Sequence, residues 1–290
     1  MNQISVTRIN KEDVQPVAFI NDVVDKRPVK GRDIFPEIYA NIFLCARKKS
    51  GKSCVIYHTI KNCATTETRV IAFVSSLKRD KTWPAIEELC NQMKVRFTSF
   101  TSIYDAETKE DILDSIVKEL ESTSELEEAV EEEEESEHRP ASSLIMQYDE
   151  DPYTEEKKKK KKRPKEKAPK IIFVFDDLST EIKAPSLTAL MKKNRHFKSK
   201  IIIASQYWND MDLQARKQID YVLLFQGLSK SLTKLSDIYK NCDLSIPFEL
   251  FVNLYRFCTA ERFHFMWIDV INSAFRKDFS HKIVIPEDEK

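Results

Sequence analysis

Residues 46–53 have the types and spacing of a turn that binds phosphate. They read Ala-Arg-Lys-Lys-Ser-Gly-Lys-Ser and match the P-loop pattern G-x-x-x-x-G-K-[ST] except at its first glycine. We expect Gly51 to let the backbone approach ATP, Lys52 to neutralise the β- and γ-phosphates, and the Ser53 hydroxyl to bind Mg²⁺. A chance Gly-Lys-Ser in a basic turn is the alternative. The expected nucleotide-binding residues are Ala46, Arg47, Lys48, Lys49, Ser50, Gly51, Lys52, Ser53 and Cys54.

A pair of acidic residues, Asp176 and Asp177, directly follows the apolar run at 171–175. If that run forms a parallel strand, both carboxylates reach the carboxyl edge of the sheet, where ligands of open α/β sheets bind. Asp176 would hold Mg²⁺ through its water shell, because this ion prefers oxygen ligands. Asp177 would orient or activate the attacking water. The alternative is an acidic pair that ends the strand and caps the next helix.

Gln206 and Arg216 extend this set of candidate catalytic residues. Gln206 follows an apolar run at 200–204, and a strand inserted between the P-loop strand and the acidic strand would bring it near the γ-phosphate, to sense it or position water. Arg216 precedes the run at 221–225, and P-loop ATPases often take an arginine from a neighbouring subunit to stabilise the transition state. Arg195 is the competing candidate, and a solvated surface arginine is the simpler interpretation of Arg216.

Short apolar runs alternate with helical patterns along the chain, which predicts an α/β fold. Runs this apolar are typical of parallel strands that are covered on both faces. The prediction is a P-loop NTPase of the RecA/ASCE type, with a mainly parallel central sheet flanked by helices. Strands are expected at 41–46, 69–74, 95–100, 171–175, 200–204, 221–225 and 263–268, and helices at 52–63, 83–93, 111–120, 185–195, 231–239 and 247–257.

The 290-residue chain has no net charge because an acidic run and a basic run cancel. Glutamate dominates 119–137 and lysine dominates 157–170, and such blocks cannot bury enough apolar surface to offset their ordering entropy. We therefore expect a disordered, low-complexity insertion at about 122–168, which interrupts a single P-loop ATPase domain spanning 1–290. The basic run would suit DNA binding, nuclear import or a solvated tail equally well.

The remaining totals favour a soluble intracellular protein. The six cysteines have neither a paired framework nor zinc-ligand spacing, which indicates buried free thiols in a reducing compartment. The amino terminus lacks the apolar region of a signal peptide, and no apolar run approaches the length of a membrane span.

The ordered set of motifs resembles the genome-packaging ATPases of large DNA viruses of the poxvirus type, within the FtsK–HerA superfamily of P-loop motors. The resemblance covers about 34–104 and 168–285, which leaves the charged insertion outside it. Its specific part, after the P-loop, is the succession Asp-Asp-Leu at 176–178, Asn-Arg-His at 194–196 and Ser-Gln at 205–206. Two positions depart from the pattern: Ala46 replaces the usual glycine, and Asp177 stands where many relatives of the wider superfamily carry Glu.

The resemblance implies a motor that hydrolyses ATP with Mg²⁺ and drives double-stranded DNA, without reading its sequence, into a capsid. It also implies a homo-oligomer in the form of a ring, with capsid or portal-site proteins as further partners. Such a motor would work in the virus factory in the cytoplasm of the infected host cell, or with the virion. Carried over position by position, the resemblance implies that Lys52 and Ser53 bind the nucleotide and that Asp176 and Asp177 form the acidic pair. It likewise implies that Gln206 is the sensor and Arg216 the arginine finger.

Two other functions fit the same residues. One is another P-loop ATPase, either helicase-like or a remodelling enzyme. The other is a nucleotide-binding scaffold without turnover, for which Ala46 is the only hint in the sequence. Retention of Lys52, Ser53, both aspartates and Gln206 argues against such a scaffold.

Overall fold

The computed structural model describes residues 27–77, 80–123, 166–178, 180–228 and 232–286. Within these ranges the strands form one nine-stranded sheet in the order β3-β2-β4-β5-β1-β6-β7-β8-β9. This confirms the predicted α/β class with a mainly parallel sheet. The strands are β1 (Asn41–Cys45), β2 (Arg69–Val74), β3 (Arg96–Phe100), β4 (Ile171–Asp176), β5 (Ser199–Ser205), β6 (Tyr221–Phe225), β7 (Phe265–Asp269), β8 (Ala274–Lys277) and β9 (His281–Ile283).

Helices connect the parallel strands and cover both faces of the sheet. The helix α4 has proline at its first position, where the missing N–H costs nothing, and it ends three residues earlier than the sequence predicts. No helix within the described ranges is both long and apolar enough to cross a membrane. The helices are α1 (Lys52–Cys63), α2 (Thr82–Gln92), α3 (112–123), α4 (Pro185–Lys192), α5 (Leu213–Arg216), α6 (Leu232–Asn241) and α7 (Phe248–Cys258).

Alternating side chains of the central strands fill two separate apolar cores, one on each face of the sheet. In β1, Phe43 and Cys45 belong to one core, whereas Ile42 and Leu44 belong to the other. Because successive side chains of a strand point to opposite faces, a continuous apolar run is what a strand buried on both faces requires. The two cores therefore explain why the sequence of these strands is almost uniformly apolar.

Parallel pairing brings the carboxyl ends of β1, β4 and β5 together at one edge. Strand β5 lies between β1 and β4, as the sequence analysis expects. Its residue Ala204 pairs with Asp176 of β4, and its Ser205 pairs with Cys45 of β1. The loop after β1, the acidic pair after β4 and the chain after β5 consequently meet at this edge.

The sheet continues beyond β6 with three antiparallel strands. The predicted last strand at 263–268 corresponds to β7, which begins two residues later and runs antiparallel to β6. The strands β8 and β9 follow it and were not predicted, because their sequences, Ala-Phe-Arg-Lys and His-Lys-Ile, contain no apolar run. Since β7 is antiparallel, its start lies at the same edge as the carboxyl ends of the parallel strands.

The charged insertion falls mostly on residues 124–165, and these lie outside the described residues. Before it, the helix α3 packs Leu113 and Val117 on the sheet. After it, the chain is held at Lys167, whose N–H donates to the carbonyl of Pro28 at 2.8 Å and whose carbonyl accepts from the N–H of Lys30 at 2.9 Å. At the amino terminus the structure is described from residue 27 onward.

Candidate nucleotide site

The P-loop joins the end of β1 to the start of α1. Gly51, directly before the helix, has a left-handed φ of 99°, and Lys49 has a φ of 62°. A glycine is needed at 51 because side chains with a β-carbon rarely adopt such a backbone. By contrast, Ala46 is buried, donates its N–H to the Ser205 carbonyl at 2.9 Å and is not among the residues with positive φ. The departure from glycine at this position therefore introduces no backbone strain.

The side chain of Lys52 lies between the two predicted aspartates. Its Nζ is 2.9 Å from Oδ1 of Asp176 and also contacts Oδ1 of Asp177 closely. Lys52 is only 7% exposed and Asp176 is completely buried, so both charges depend on each other for compensation. The loop, the lysine and the acidic pair thus form one cluster, as the sequence analysis predicts.

Burial and ion pairing oppose each other in this cluster. Burial pushes the pKa of Lys52 down, but the neighbouring carboxylates of Asp176 and Asp177 outweigh it and hold that pKa above its ordinary value. For Asp176, burial raises the pKa against the opposing effect of Lys52. A buried lysine that stays charged can exchange its carboxylate partners for phosphate oxygens.

Asp177 takes up a turn at the end of β4. Its φ is 56°, its N–H donates to the Ala204 carbonyl at 3.2 Å, and its carbonyl accepts from the Ser75 hydroxyl at 2.7 Å. These contacts with β5 and with the end of β2 fix the backbone. The Asp177 carboxylate therefore contacts Lys52 from a backbone that hydrogen bonds keep in place.

Asp80 is a residue of the site that the sequence analysis missed. The hydroxyl of Ser53 donates to its Oδ2 at 3.0 Å, and the N–H of Thr82 donates to its Oδ1 at 2.9 Å. Partial burial acts to raise the pKa of Asp80, but these hydrogen bonds outweigh it and hold the pKa below its usual range. Its position after a buried strand could have indicated it: Asp80 follows β2, which pairs with the acidic strand β4.

Ser53, Asp80 and Asp176 carry the kind of oxygen ligand that Mg²⁺ prefers, and Ser53 and Asp80 are hydrogen-bonded to each other. Within the described ranges no group of three or more His, Cys, Asp or Glu residues could hold a metal by itself. This agrees with the chemistry of Mg²⁺, which usually takes one or two carboxylates together with substrate phosphates and waters rather than a cage made of protein. The ion would therefore bind with a nucleotide, near the Ser53 hydroxyl.

A cavity of about 1010 Å³ lies over the loop. Gln206 lines it at the end of β5, so the strand order places this residue where the sequence predicts. Cys54 also lines the cavity and is exposed, which corrects the expectation that the cysteines are uniformly buried; the other five are buried.

The two candidate finger arginines do not line this cavity. Arg216 ends α5 and donates from Nε and Nη2 to the Met211 carbonyl, at 3.0 and 2.8 Å. Arg195 is exposed in the turn before β5, at the amino edge of the sheet, and its charge acts on Asp220 at the same edge. Neither arginine reaches the P-loop of its own chain.

Arg262 and Phe263 are two further residues at the site that the sequence analysis did not single out. They lie in the turn before β7 and line the cavity over the loop. A β-carbon added to Gly51 would lie 3.4 Å from Cδ1 of Phe263, so the ring rests against the loop. The order of residues along the chain gives no signal for this contact, because it depends on the antiparallel direction of β7.

Solved structures similar to this chain include the genome packaging NTPase B204 of Sulfolobus turreted icosahedral virus 2. Its complex with AMPPCP has 15% sequence identity and a TM-score of 0.49, and its complex with ATP-gammaS has 16% identity and a TM-score of 0.44; each match covers 86% of this chain and 100% of the other. The crystal structure of B204, described as the DNA-packaging ATPase of Sulfolobus turreted icosahedral virus, matches with 16% identity and a TM-score of 0.48, over 85% and 98% of the two chains.

Comparison with curated proteins by sequence gives no significant match. A family model described as poxvirus A32 protein matches residues 99–275, which is more than half of the 290-residue chain. The match begins after the P-loop and includes the acidic pair, Gln206 and both candidate arginines. It confirms the resemblance to poxvirus-type proteins inferred from the motifs. The chain belongs to the poxvirus A32 protein family.

Proposed function

We propose that this protein is an ATPase whose hydrolysis drives double-stranded DNA into a viral capsid. The observation that carries the proposal is the position of Lys52, which lies at the start of α1 and contacts the carboxylates of both Asp176 and Asp177. The role in packaging is supported by the resemblance of the ordered motifs to packaging ATPases and by membership of the poxvirus A32 family.

Each group at the site has a chemical role in this proposal. The backbone N–H groups at the start of α1 and the Lys52 ammonium would bind the phosphates, while Ser53 and Asp176 would hold Mg²⁺. The bound ion would neutralise charge that develops on the phosphate oxygens. Asp177 would accept a proton from the attacking water or orient it, and Gln206, directly after the intervening strand, would contact the γ-phosphate. Asp80 holds the Ser53 hydroxyl in place until the ion binds.

The decisive test is Lys52→Ala, with release of phosphate from ATP measured with and without double-stranded DNA. We expect turnover to be abolished, because the variant loses the cation that neutralises the β- and γ-phosphates. The matched control is Lys61→Ala, which removes an exposed lysine from the last turn of the same helix and should leave turnover unchanged. Near-normal turnover in the Lys52 variant would contradict the P-loop assignment.

Two measurements separate packaging from the alternatives. A strand-displacement assay tests a helicase-like enzyme, and loss of filled capsids on depletion of the protein tests packaging. A scaffold without turnover would bind ATP but release no phosphate. The one hint of a scaffold, Ala46, carries no backbone strain and therefore gives no reason to expect a defective loop.

A further inference from the structure

A second cavity lies beside the P-loop, on the β6 side of β1. It has a volume of about 410 Å³. Loop residues 47–50 form one wall, Gln226 and Gly227 after β6 form another, and Arg262 and Phe263 before β7 close it. The last two residues also line the larger cavity over the loop, so they lie between the two cavities.

The strand order gives the direction in which a bound nucleotide would run. The groups proposed to act on the terminal phosphate, Asp176, Asp177 and Gln206, are on β4 and β5, on one side of β1. A nucleoside triphosphate is longer than its phosphate chain, so the nucleoside needs room beyond the loop, and the side of β1 opposite the acidic groups offers it. That direction leads over β6 and β7, where the second cavity lies.

The exposed ring of Phe263 has the position and chemistry to receive a nucleobase. This side chain is 61% exposed, which is unusual for phenylalanine, and its ring rests against Gly51 of the loop. Its φ is 70°, a left-handed backbone that costs free energy for a bulky residue and that occurs preferentially at functional sites. Since the ring contributes little to the apolar core, core packing does not account for this conformation.

The two residues after Phe263 are held by Asp278, in the turn between β8 and β9. Nδ1 of His264 lies 2.6 Å from Oδ2 of Asp278, and Oδ1 of the same aspartate accepts the N–H of Phe265 at 3.0 Å. The guanidinium of Arg262 lies 5.2 Å from the centre of the Phe263 ring. Because the chain directly after Phe263 is held, little of its backbone needs to become ordered when a ligand binds.

We infer that Phe263 is a stacking platform for the base of the nucleotide whose phosphates bind the P-loop. The inference rests on the proposed function and extends it from the phosphates to the nucleoside. Stacking on an aromatic face is tolerant of base identity, and it contributes substantially to affinity for each base. The second cavity, bounded by Arg262 and Gln226, encloses the base and ribose.

The test compares two ligands that share phosphates but differ in the base: the β,γ-methylene analogue of ATP and inorganic tripolyphosphate. Their affinities for the full chain are measured by titration calorimetry. Phe263→Ala and Phe263→Leu should each lower the affinity for the analogue by about tenfold or more and leave the affinity for tripolyphosphate unchanged. Phe263→Trp should retain both affinities. Phe257→Ala is the matched control, since Phe257 is 63% exposed on α7 and does not line either cavity.

The outcomes that overturn the inference are distinct from failure of the P-loop assignment. If Phe263→Ala lowers the affinity for both ligands equally, the ring shapes the loop and does not bind the base. An unchanged affinity of the analogue in Phe263→Leu would exclude stacking. If the parent chain binds neither ligand, or if Lys52→Ala binds both normally, the proposed function fails first.

Discussion

At the scale of single residues, the acidic pair divides into two roles that substitution can separate. Asp176→Asn should remove turnover that depends on Mg²⁺, because the buried carboxylate proposed to hold the ion loses its charge. Asp177→Asn should retain nucleotide binding and slow hydrolysis by about 10²-fold or more, as expected when a group that handles the proton of the attacking water is lost. Phosphate release and nucleotide affinity are measured for both variants.

The control for these substitutions is Asp212→Asn, which alters an exposed carboxylate at the amino end of α5, where asparagine also caps a helix well. Turnover in this variant should match the parent protein. Parental binding and hydrolysis in both the Asp176 and the Asp177 variants would mean that the acidic pair is only structural.

Cys54 gives a second prediction at this scale. Burial raises the pKa of Cys45, Cys242 and Cys258 to about 12 and that of Cys90 to about 11, so these thiols stay protonated and unreactive in the folded chain. Cys54 is exposed and lines the cavity over the loop. A disulfide reagent at about pH 8 should therefore modify Cys54 rapidly, and a bound ATP analogue should slow the reaction.

Mass spectrometry of the labelled chain checks this, with Cys54→Ser as the control that should lose the fast reaction. Fast labelling of any of the buried thiols in folded protein would be inconsistent with their packing. Labelling of Cys54 at the same rate with and without the analogue would place the nucleotide elsewhere.

At the scale of elements, the sequence predicts best where burial leaves a strong pattern. The strands β1, β2, β4 and β6 are apolar on both faces, so their positions follow from composition alone. The helix α1 and the P-loop follow from a motif whose spacing is fixed by phosphate chemistry. The expected insertion of β5 between the P-loop strand and the acidic strand is also confirmed.

What the sequence does not predict depends on pairing between distant segments. The strands β8 and β9 are half-polar and become strands by pairing beyond β7. The position of Phe263 follows from the antiparallel direction of β7, and that of Asp80 follows from the approach of its turn to Ser53. None of these is a local property, because each arises from contacts between parts of the chain that a short sequence window cannot connect.

The segment 124–165 gives a prediction about elements. The helix α3 packs on the sheet before it, and Lys167 is hydrogen-bonded to the Pro28 carbonyl after it. Replacing 124–165 with a flexible Gly/Ser linker should leave the fold and the basal ATPase intact, since blocks of like charge cannot contribute to a core. Thermal melting and phosphate release measure the two properties.

A matched variant sharpens this test. Extending the replacement to 122–169 would make the backbone at 167 and 169 more flexible, and ordering it for its hydrogen bonds to Pro28, Lys30 and Thr68 would then cost more entropy, so it should lower the melting temperature. Loss of soluble folded protein on replacing 124–165 alone would mean that the segment is structural.

At the scale of the whole molecule, the position of the candidate arginines links hydrolysis to the assembly of subunits. Arg216 lies outside the nucleotide cavity of its own chain, so its proposed role as a finger requires a neighbouring subunit. Arg216→Ala should lower turnover by about 10³-fold, and a Lys52→Ala chain should also be inactive. Mixed in one oligomer, the two variants should regain partial activity, because some interfaces pair an intact loop with an intact arginine.

For comparison, Arg195→Ala is mixed with Lys52→Ala in the same way. Light scattering must verify that mixed oligomers form. If the Arg216 mixture stays inactive in such oligomers, Arg216 acts within its own chain or supports the fold through its hydrogen bonds to Met211. If ATPase activity recovers only in the mixture that contains Arg195→Ala, Arg195 is the finger.

The left-handed backbone at Asp177 has a consequence for how this position varies among relatives. Short polar residues such as Asp and Asn adopt a positive φ more readily than longer side chains. A glutamate introduced at 177 would extend the reach of the carboxylate, but it would also take on strain of about 1 kcal/mol or more in this turn. An evolutionary exchange between Asp and Glu at this position is therefore favoured by a change in the turn as well as in the side chain. Ancestral reconstructions should find the two changing together.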